Sequence, residues 1–430
     1  MRILIDSVGG DGLALGLRLQ AEGHDVVIAI RKTEAQRAGE GLIEHVDDPL
    51  AYARDADVDL VLYDMVGYGG SADALRDLGV PTLGAGRALD LLELDRIAGL
   101  RTFRALGLQI PETVIFEDAD FDRAIQHVNK DRGKWVFKPC GNLGTDKTFI
   151  GEDVEELITF IEHQREESRG SEVKHPAFVL QRFVEGIEVS VERWYSHGMP
   201  IDALDNQTFE EKKFLAGNLG PAIGCAGNIV MDASPRLVAE TVARLDRFAA
   251  AHSITGPIDL NTITNGKGPY ILEATARFGY DALWSFLHKW RMPIGKTLRK
   301  IAEDEDLIVD MDPHLAAAVR VSVPPYPSGD PSKARGTPVV DDILDQENLW
   351  PGDVMLTDDD ELQVAGVDGV VYIVTGLGST PKEAYESCYG WLEDARLPDR
   401  QYRIDLADRV TEELPKLVRL GYGGSRARAA

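Results

Sequence analysis

The first thirty residues, MRILIDSVGG DGLALGLRLQ AEGHDVVIAI, place a short apolar run (Met1 to Ile5) before Gly9-Gly10-Asp11-Gly12. A helical pattern of leucines at 13, 15, 17 and 19 follows and stops at Gly23. A second apolar run covers Asp25 to Ile30, and a third, Asp59 to Tyr63, ends in the glycine-rich stretch Gly67-Tyr68-Gly69-Gly70. Strands that alternate with helices in this way predict a parallel, doubly wound α/β sheet, with ligands held where strands end and helix N-termini begin. The pattern gives a first domain over residues 1–100, closed by Val80-Pro81-Thr82-Leu83-Gly84.

Beyond it the rhythm changes. Residues 89–106 read as one helix ended by Gly107, and Thr113 to Phe116 as a strand. From Trp135 the order is strand, glycine loop, strand (Phe149-Ile150), helix (Glu155 to Glu166), then strands 177–183 and 188–195. The last two are expected to form an antiparallel hairpin turning at Glu185-Gly186. These elements predict a two-lobed α+β centre over residues 101–322, with a flap at about 125–195 able to fold down over a nucleotide. The stretch PPYPSGDPSK at 324–333 reads as a break before a small α+β domain over 323–430. That last domain carries a strand (370–375), a helix (381–392) and a polar tail, GGSRARAA, expected to be disordered.

Composition narrows the function. With 72 acidic against 46 basic residues and a formal charge of -26, the chain repels a phosphate backbone, so sequence-independent nucleic-acid binding is not expected. No apolar run approaches the roughly 20 residues that span a bilayer, and the first residues lack the regions of a signal peptide, so the expected location is the cytoplasm, with no membrane partner. Three isolated cysteines, Cys140, Cys225 and Cys388, show no metal-ligand spacing and no disulfide framework.

The chemistry concentrates in a few segments. In KPCGNLGTDKTF (138–149) two lysines, Lys138 and Lys147, bracket Gly141 and Gly144 behind the strand Trp135-Val136-Phe137, which suits a phosphate grip that is not a P-loop. Gln181-Arg182-Phe183-Val184 then offers backbone groups to an adenine edge, and Glu188 could accept from ribose hydroxyls. In GPIDLNTI and ILEATARFG, alternation puts Glu273, Thr275 and Arg277 on one face. With Asp259 and Asn261 they form a set of hard oxygen ligands suited to magnesium beside a triphosphate. GGDG at 9–12 is ambiguous between a ligand loop and a plain turn. A dinucleotide reading lacks its third glycine, since Leu15 stands there, and lacks an acid at Ile30-Arg31.

These segments resemble the ATP-grasp superfamily, and more closely the phosphoribosylamine–glycine ligases. The resemblance rests on the GG turn, GAGRALDLLELDR (84–96), WVFKPCGNLGTDKTF, VLQRFVEGIEVS, GNLGPAIGCAG and ILEATARFGYD, and on PPYPSGD, VYIVTGLGSTPKEAYESCY and YRIDLADR in the last domain. It implies that Lys138, Lys147, Gly141 and Gly144 hold ATP phosphates, that Gln181, Arg182, Phe183 and Val184 line the adenine pocket, and that Glu188 holds the ribose. It further implies Glu273 as the magnesium ligand, with Asp259 or Asn261 as a second oxygen ligand and Thr275 beside them, Mn2+ being an alternative ion. Arg277 and Lys147 are the implied catalytic residues, and Gly9, Gly10, Asp64, Gly279 and Asp281 the implied substrate contacts. The implied reaction is ADP-forming: ATP activates a carboxylate as an acyl phosphate, and an amine displaces phosphate. Partners are then small molecules, and the chain a monomer or small homo-oligomer.

Several positions depart from the family pattern. Thr275 replaces an asparagine, Asp95-Arg96 a Ser-Lys, Tyr63-Asp64 a Pro-Glu, and IGCAG (223–227) a GGMGA loop; GGDGLAL lacks the family's acid and histidine. Nearly all fall on the acceptor side. The expectation is a working ligase, of purine biosynthesis or a paralogue of it, that joins glycine or another small amino acid to phosphoribosylamine or to a diverged nucleotide or metabolite amine. The alternatives are a degenerate nucleotide-binding protein and, less favoured, an NAD-dependent oxidoreductase.

Overall fold

A computed structural model describes residues 1–117, 120–140, 148–170, 177–279 and 282–424. The first domain is the expected parallel sheet, in the order 44–45, 25–30, 2–7, 60–63, 82–83. Its three main strands are buried almost throughout, because helices cover both faces and leave no side for polar alternation. The two short outer strands escape the sequence pattern; each pairs over only two residues. The helix expected over 89–106 is two helices, Arg87–Leu94 and Arg96–Ala105. Asp95 breaks the run: its carboxylate accepts from the N–H groups of Ile97 and Ala98, making it the cap of the second helix.

The flap is a four-stranded antiparallel sheet in the order 113–116, 178–182, 135–139, 149–150. The helices Phe121–Lys130 and Val154–Gly170 cover it. It has its own core, in which Phe116, Phe121 and Phe137 stack around Phe178 at centroid distances of 4.8–5.0 Å. The expected hairpin at 177–195 does not form. Strand Phe178–Arg182 stays in the flap, whereas Ile187–Ser196 joins the large sheet. Both strands are buried on both faces, so their periodicity could not reveal which sheet each belongs to. Glu185-Gly186 is therefore the joint between two sheets. Gly186 passes so close to the large sheet that a Cβ would stand 2.7 Å from the Thr264 carbonyl oxygen.

The large sheet runs 268–275, 256–265, 187–196, 206–215, 219–232, 315–322, 370–378, 349–351. It passes without a break across residue 322. Strand Leu315–Ser322 pairs with 219–232 on one side and with 370–378 on the other, so the terminal segment shares one core with the centre. A helix that the sequence pattern did not announce, Leu406–Arg419, contains Pro415 and packs on helix Pro381–Glu393. Backbone bonds from Gly39 to the Val354 carbonyl and from Leu356 to the Glu40 carbonyl, both 2.8 Å, fasten the terminal segment to the first domain. Among the described residues no helix is long and apolar enough to cross a membrane. Most of the tail, residues 425–430, lies outside the described residues.

Candidate functional site

Four neighbouring strands of the large sheet present a grid of polar side chains to one face. Antiparallel register sets Asn206, Glu192, Asp259 and Thr275 in one row, and Thr208, Ser190, Asn261 and Glu273 in the next. Glu188 lies two residues further along its strand and shares the face. These residues floor a cleft of about 1480 Å³ whose roof includes Lys138, Thr148 and Ile150 of the flap. One wall is hairpin residues 222–225, and the far end reaches Val8, Lys32 and Tyr68 of the first domain.

Cations converge on Glu273. Arg96 Nη1 lies 3.3 Å from its carboxylate while Arg96 Nε donates to the Pro139 carbonyl at 2.9 Å, so one guanidinium ties helix, flap and sheet together. Burial works against the Glu273 charge, but Lys138, Arg96 and Lys212 outweigh it and hold the carboxyl down at about 2. For Lys138 the balance reverses. It is only 7 % exposed, and burial, with Arg96 and Lys212 repelling it, brings the ammonium down to about 8 despite Glu273 and Glu188. The two shifts differ because Glu273 faces three cations, while Lys138 shares its carboxylates with competitors. A buried ammonium that is not fully compensated is a group waiting for an anion.

Glu188 is bonded at 2.5 Å to Lys212 of the adjoining strand, and burial of Lys212 is overridden by Glu188 and Glu210, which raise its pKa. Lys212 escaped the sequence reading; the signal was there, since in the charged run Glu210-Glu211-Lys212-Lys213 it shares the face of Glu210 and lies beside Glu188.

At the hinge, Gln181 is 2 % exposed and its Nε2 donates to Thr113 Oγ1 at 3.2 Å. The Thr113 hydroxyl already gives its proton to the Pro111 carbonyl at 2.8 Å, so the amide orientation is fixed and Gln181 Oε1 is left buried without a partner. An unpaired buried acceptor on a cleft wall calls for a donor on the ligand. The N–H of Arg182 is spent on Glu112 and that of Phe183 on Lys134. The Arg182 guanidinium turns onto the Trp135 ring, 3.9 Å from its centroid, and onto Asp131. Among the described residues the Val184 N–H has no backbone partner.

No family model matches the chain. Two curated proteins do, both named phosphoribosylamine–glycine ligase. That of Leifsonia xyli subsp. xyli is 26% identical over 436 residues, covering 95% of this chain and 100% of that protein. That of Neisseria meningitidis serogroup B is 22% identical over 443 residues, covering 95% and 99%. The crystal structure of phosphoribosylamine–glycine ligase from Thermotoga maritima superposes with a TM-score of 0.74 at 17% identity, over 94% of this chain and 99% of that one. The biotin carboxylase domain of Hydrogenobacter thermophilus 2-oxoglutarate carboxylase, solved with MgADP, ADP and bicarbonate, superposes with a TM-score of 0.66 at 13% identity, over 100% and 97%.

The fold is ATP-grasp.

Lys138, Gln181, Arg182, Phe183, Val184, Glu188, Asp259, Glu273, Thr275, Arg277 and Gly279 all line the cleft between flap and sheet. Arg277 is tied at 2.9 Å to Glu93, whose other oxygen accepts from the Ala276 N–H. Among the residues that could hold a cation, Asn261 stands directly opposite Glu273, while Asp259 and Thr275 face each other one row away. Asn261 Nδ2 points to Asp259 and Thr275 at 3.3 and 3.4 Å, leaving its carbonyl oxygen for a cation beside Glu273. Among the described residues no three acidic, histidine or cysteine side chains are gathered to hold a metal by themselves. One carboxylate and one amide oxygen fit Mg2+, which takes its remaining ligands from phosphates and water.

On the acceptor side the structure departs from expectation. Asp64 is 3 % exposed and works inside the fold: it accepts from the N–H groups of Val8 at 3.3 Å and Gly12 at 2.9 Å, fixing the first turn, and burial with Asp11 nearby raises it to about 8. Gly9 and Gly10 line a separate cavity of about 150 Å³ against the terminal segment, with Asp353 and Asp368 across it. Gly10 has φ +92°, a turn that other residues enter only under strain. Lys147, Gly141, Gly144 and Asp281 lie outside the described residues.

Proposed function

We propose that this protein is an ATP-dependent, ADP-forming carboxylate–amine ligase. The observation that carries the reading is the buried, undercompensated Lys138 ammonium of the flap, set across the cleft from Glu273 and Asn261. In this reading Lys138, with Lys147 nine residues further along the sequence, binds the phosphates. Gln181 Oε1 and the Val184 N–H meet the adenine edge, and Glu188 takes the ribose hydroxyls once Lys212 yields. Glu273 with Asn261 would hold Mg2+, which when bound would supply positive charge against the phosphates.

A substrate carboxylate oxygen attacks the γ-phosphorus and ADP leaves; the amine nitrogen then attacks the acyl carbon, and phosphate departs with that oxygen. Arg277, fixed by Glu93, faces the carboxylate or the transferred phosphoryl group, and Gly279 and Asp281 border the substrate. The flap, closed over the site, keeps water from the acyl phosphate. The names of the full-length relatives support glycine as the acid and phosphoribosylamine as the amine, whereas the acceptor-side departures and the internal use of Asp64 favour a diverged amine.

The test is phosphate release from ATP and Mg2+ with glycine and other small amino acids against a panel of amines. The expected result is release only when acid and amine are both present, abolished by EDTA and restored by Mg2+. Turnover with phosphoribosylamine would refute the diverged acceptor, and release that needs neither acid nor amine would refute the ligase.

A further inference from the structure

The stretch Gly67-Tyr68-Gly69-Gly70 lies at the far end of the cleft, away from the nucleotide and metal positions, and it is held in one shape. Asp90 accepts from the Gly67 N–H at 2.6 Å with one carboxylate oxygen and from the Gly69 N–H at 2.9 Å with the other. Gly67 has φ +100°, and Gly69 packs so tightly that a Cβ would stand 2.2 Å from the Gly86 carbonyl carbon. The one large side chain this loop carries is Tyr68, half-buried and on the cleft wall.

Arg31 lies behind the Tyr68 ring, with its Cζ 4.7 Å from the centroid. The guanidinium is pinned by Asp6, which is 2 % exposed and accepts from Nε at 2.7 Å and from Nη2 at 2.6 Å. Tyr68 borders the cleft and Arg31 does not, so the ring stands between the fixed cation and the cleft. A cation on one face draws π-density toward itself, which leaves the opposite face better suited to offset stacking with a second aromatic ring. Val8, Met65 and Val66 line the same end with apolar surface, and Lys32 there is exposed, so a ring would not bury its charge.

The loop is also tied to the reacting end. Asp90, which clamps it, and Glu93, which fixes Arg277, are three residues apart on helix Arg87–Leu94 and share a face. At about 1480 Å³ the cleft exceeds the roughly 300–1,000 Å³ of a pocket for one small ligand, which leaves room for a ring beside the nucleotide.

We propose that Tyr68 is a stacking platform for the amine substrate, which carries an aromatic ring on a short tether from its reacting nitrogen. The proposal rests on the ligase reading and names the class of the acceptor within it.

In the full-length protein, binding of a non-hydrolysable ATP analogue with Mg2+ is measured first by calorimetry; absence of binding would remove the ligase reading and this inference with it. Benzylamine and phenethylamine are then compared with cyclohexylmethylamine, which has similar bulk and no π-system, in wild type, Tyr68→Phe and Tyr68→Leu. Phosphate release with a small amino acid gives the KM of each amine, and proton NMR of the amine with the analogue-loaded protein gives the shifts of its ring protons.

Wild type and Tyr68→Phe are expected to show a KM for the aromatic amines about 2- to 12-fold below that for the cyclohexyl amine, the worth of one aromatic pair beyond its area. The ring protons should move upfield on binding. Tyr68→Leu should lose both the preference and the upfield shift, with the KM for ATP within about twofold. The inference is overturned, with the ligase intact, if the cyclohexyl amine serves wild type as well as benzylamine, if no aromatic amine binds the analogue-loaded protein, or if Tyr68→Leu keeps the preference. Should Tyr68→Leu not fold, the comparison within wild type and Tyr68→Phe, which gives up only the hydroxyl, still decides.

Discussion

Replacing Lys138 by methionine should make the ligand-free protein more stable while weakening nucleotide binding by one to two orders of magnitude. The ammonium is 7 % exposed and its pKa is depressed from 10.5 to about 8. That depression costs the folded state about 3 kcal/mol at pH 7, after the attraction of Glu273 and Glu188 is included. The folded pKa lies below the unfolded one, so the folded chain binds fewer protons between about pH 8 and 10.5 and wild-type stability rises with pH through that window. By pH 10 the remaining penalty is about 1 kcal/mol. Methionine fills the same volume without a charge.

Calorimetric unfolding of both proteins without ligand, at pH 7 and pH 10, should therefore show a variant more stable by up to about 3 kcal/mol at the lower pH and by about 1 at the higher. Titration with an ATP analogue at pH 7 should show affinity reduced about 10- to 150-fold, the range for one charge-assisted hydrogen bond. A variant less stable than wild type at pH 7, a gain that does not shrink by pH 10, or unchanged nucleotide affinity would each refute the reasoning.

Two further outcomes follow from the same structure. Gln181→Leu removes the orphaned acceptor while Thr113 keeps its bond to Pro111, so the melting free energy should stay within about 1 kcal/mol of wild type, and discrimination between ATP and GTP, read by competition binding, should fall about tenfold. Glu211 is 5 % exposed and pairs with both Arg403 and Arg409 of the terminal segment; Glu211→Gln removes one of the two carboxylates from each, since Arg403 keeps Asp405 and Arg409 keeps Glu413, and should cost about 1.5–3 kcal/mol in urea unfolding.

The sequence by itself determined the local elements and the identity of the chemical groups. Strands 25–30, 113–116 and 149–150 lie where their composition places them, because short β-branched and aromatic runs between glycines have few other ways to bury themselves. The lysine at the end of strand 135–139 and the alternation through Glu273, Thr275 and Arg277 were likewise legible. Tertiary structure alone decided which of these groups meet. Register put Asn261 rather than Asp259 across from Glu273, a difference of one rung that alternation cannot resolve, since residues two apart share a face.

The separation of strands 178–182 and 187–196 into different sheets, and the continuity of the large sheet across residue 322, were equally hidden. A strand buried on both faces carries no mark of its partners. Asp64 shows the same limit at one side chain: the family resemblance implied a substrate contact, and only the packed first turn showed its oxygens already engaged with Val8 and Gly12. Covalent sequence fixes what a residue can donate or accept; whether that capacity is still available to a ligand depends on neighbours tens of residues away.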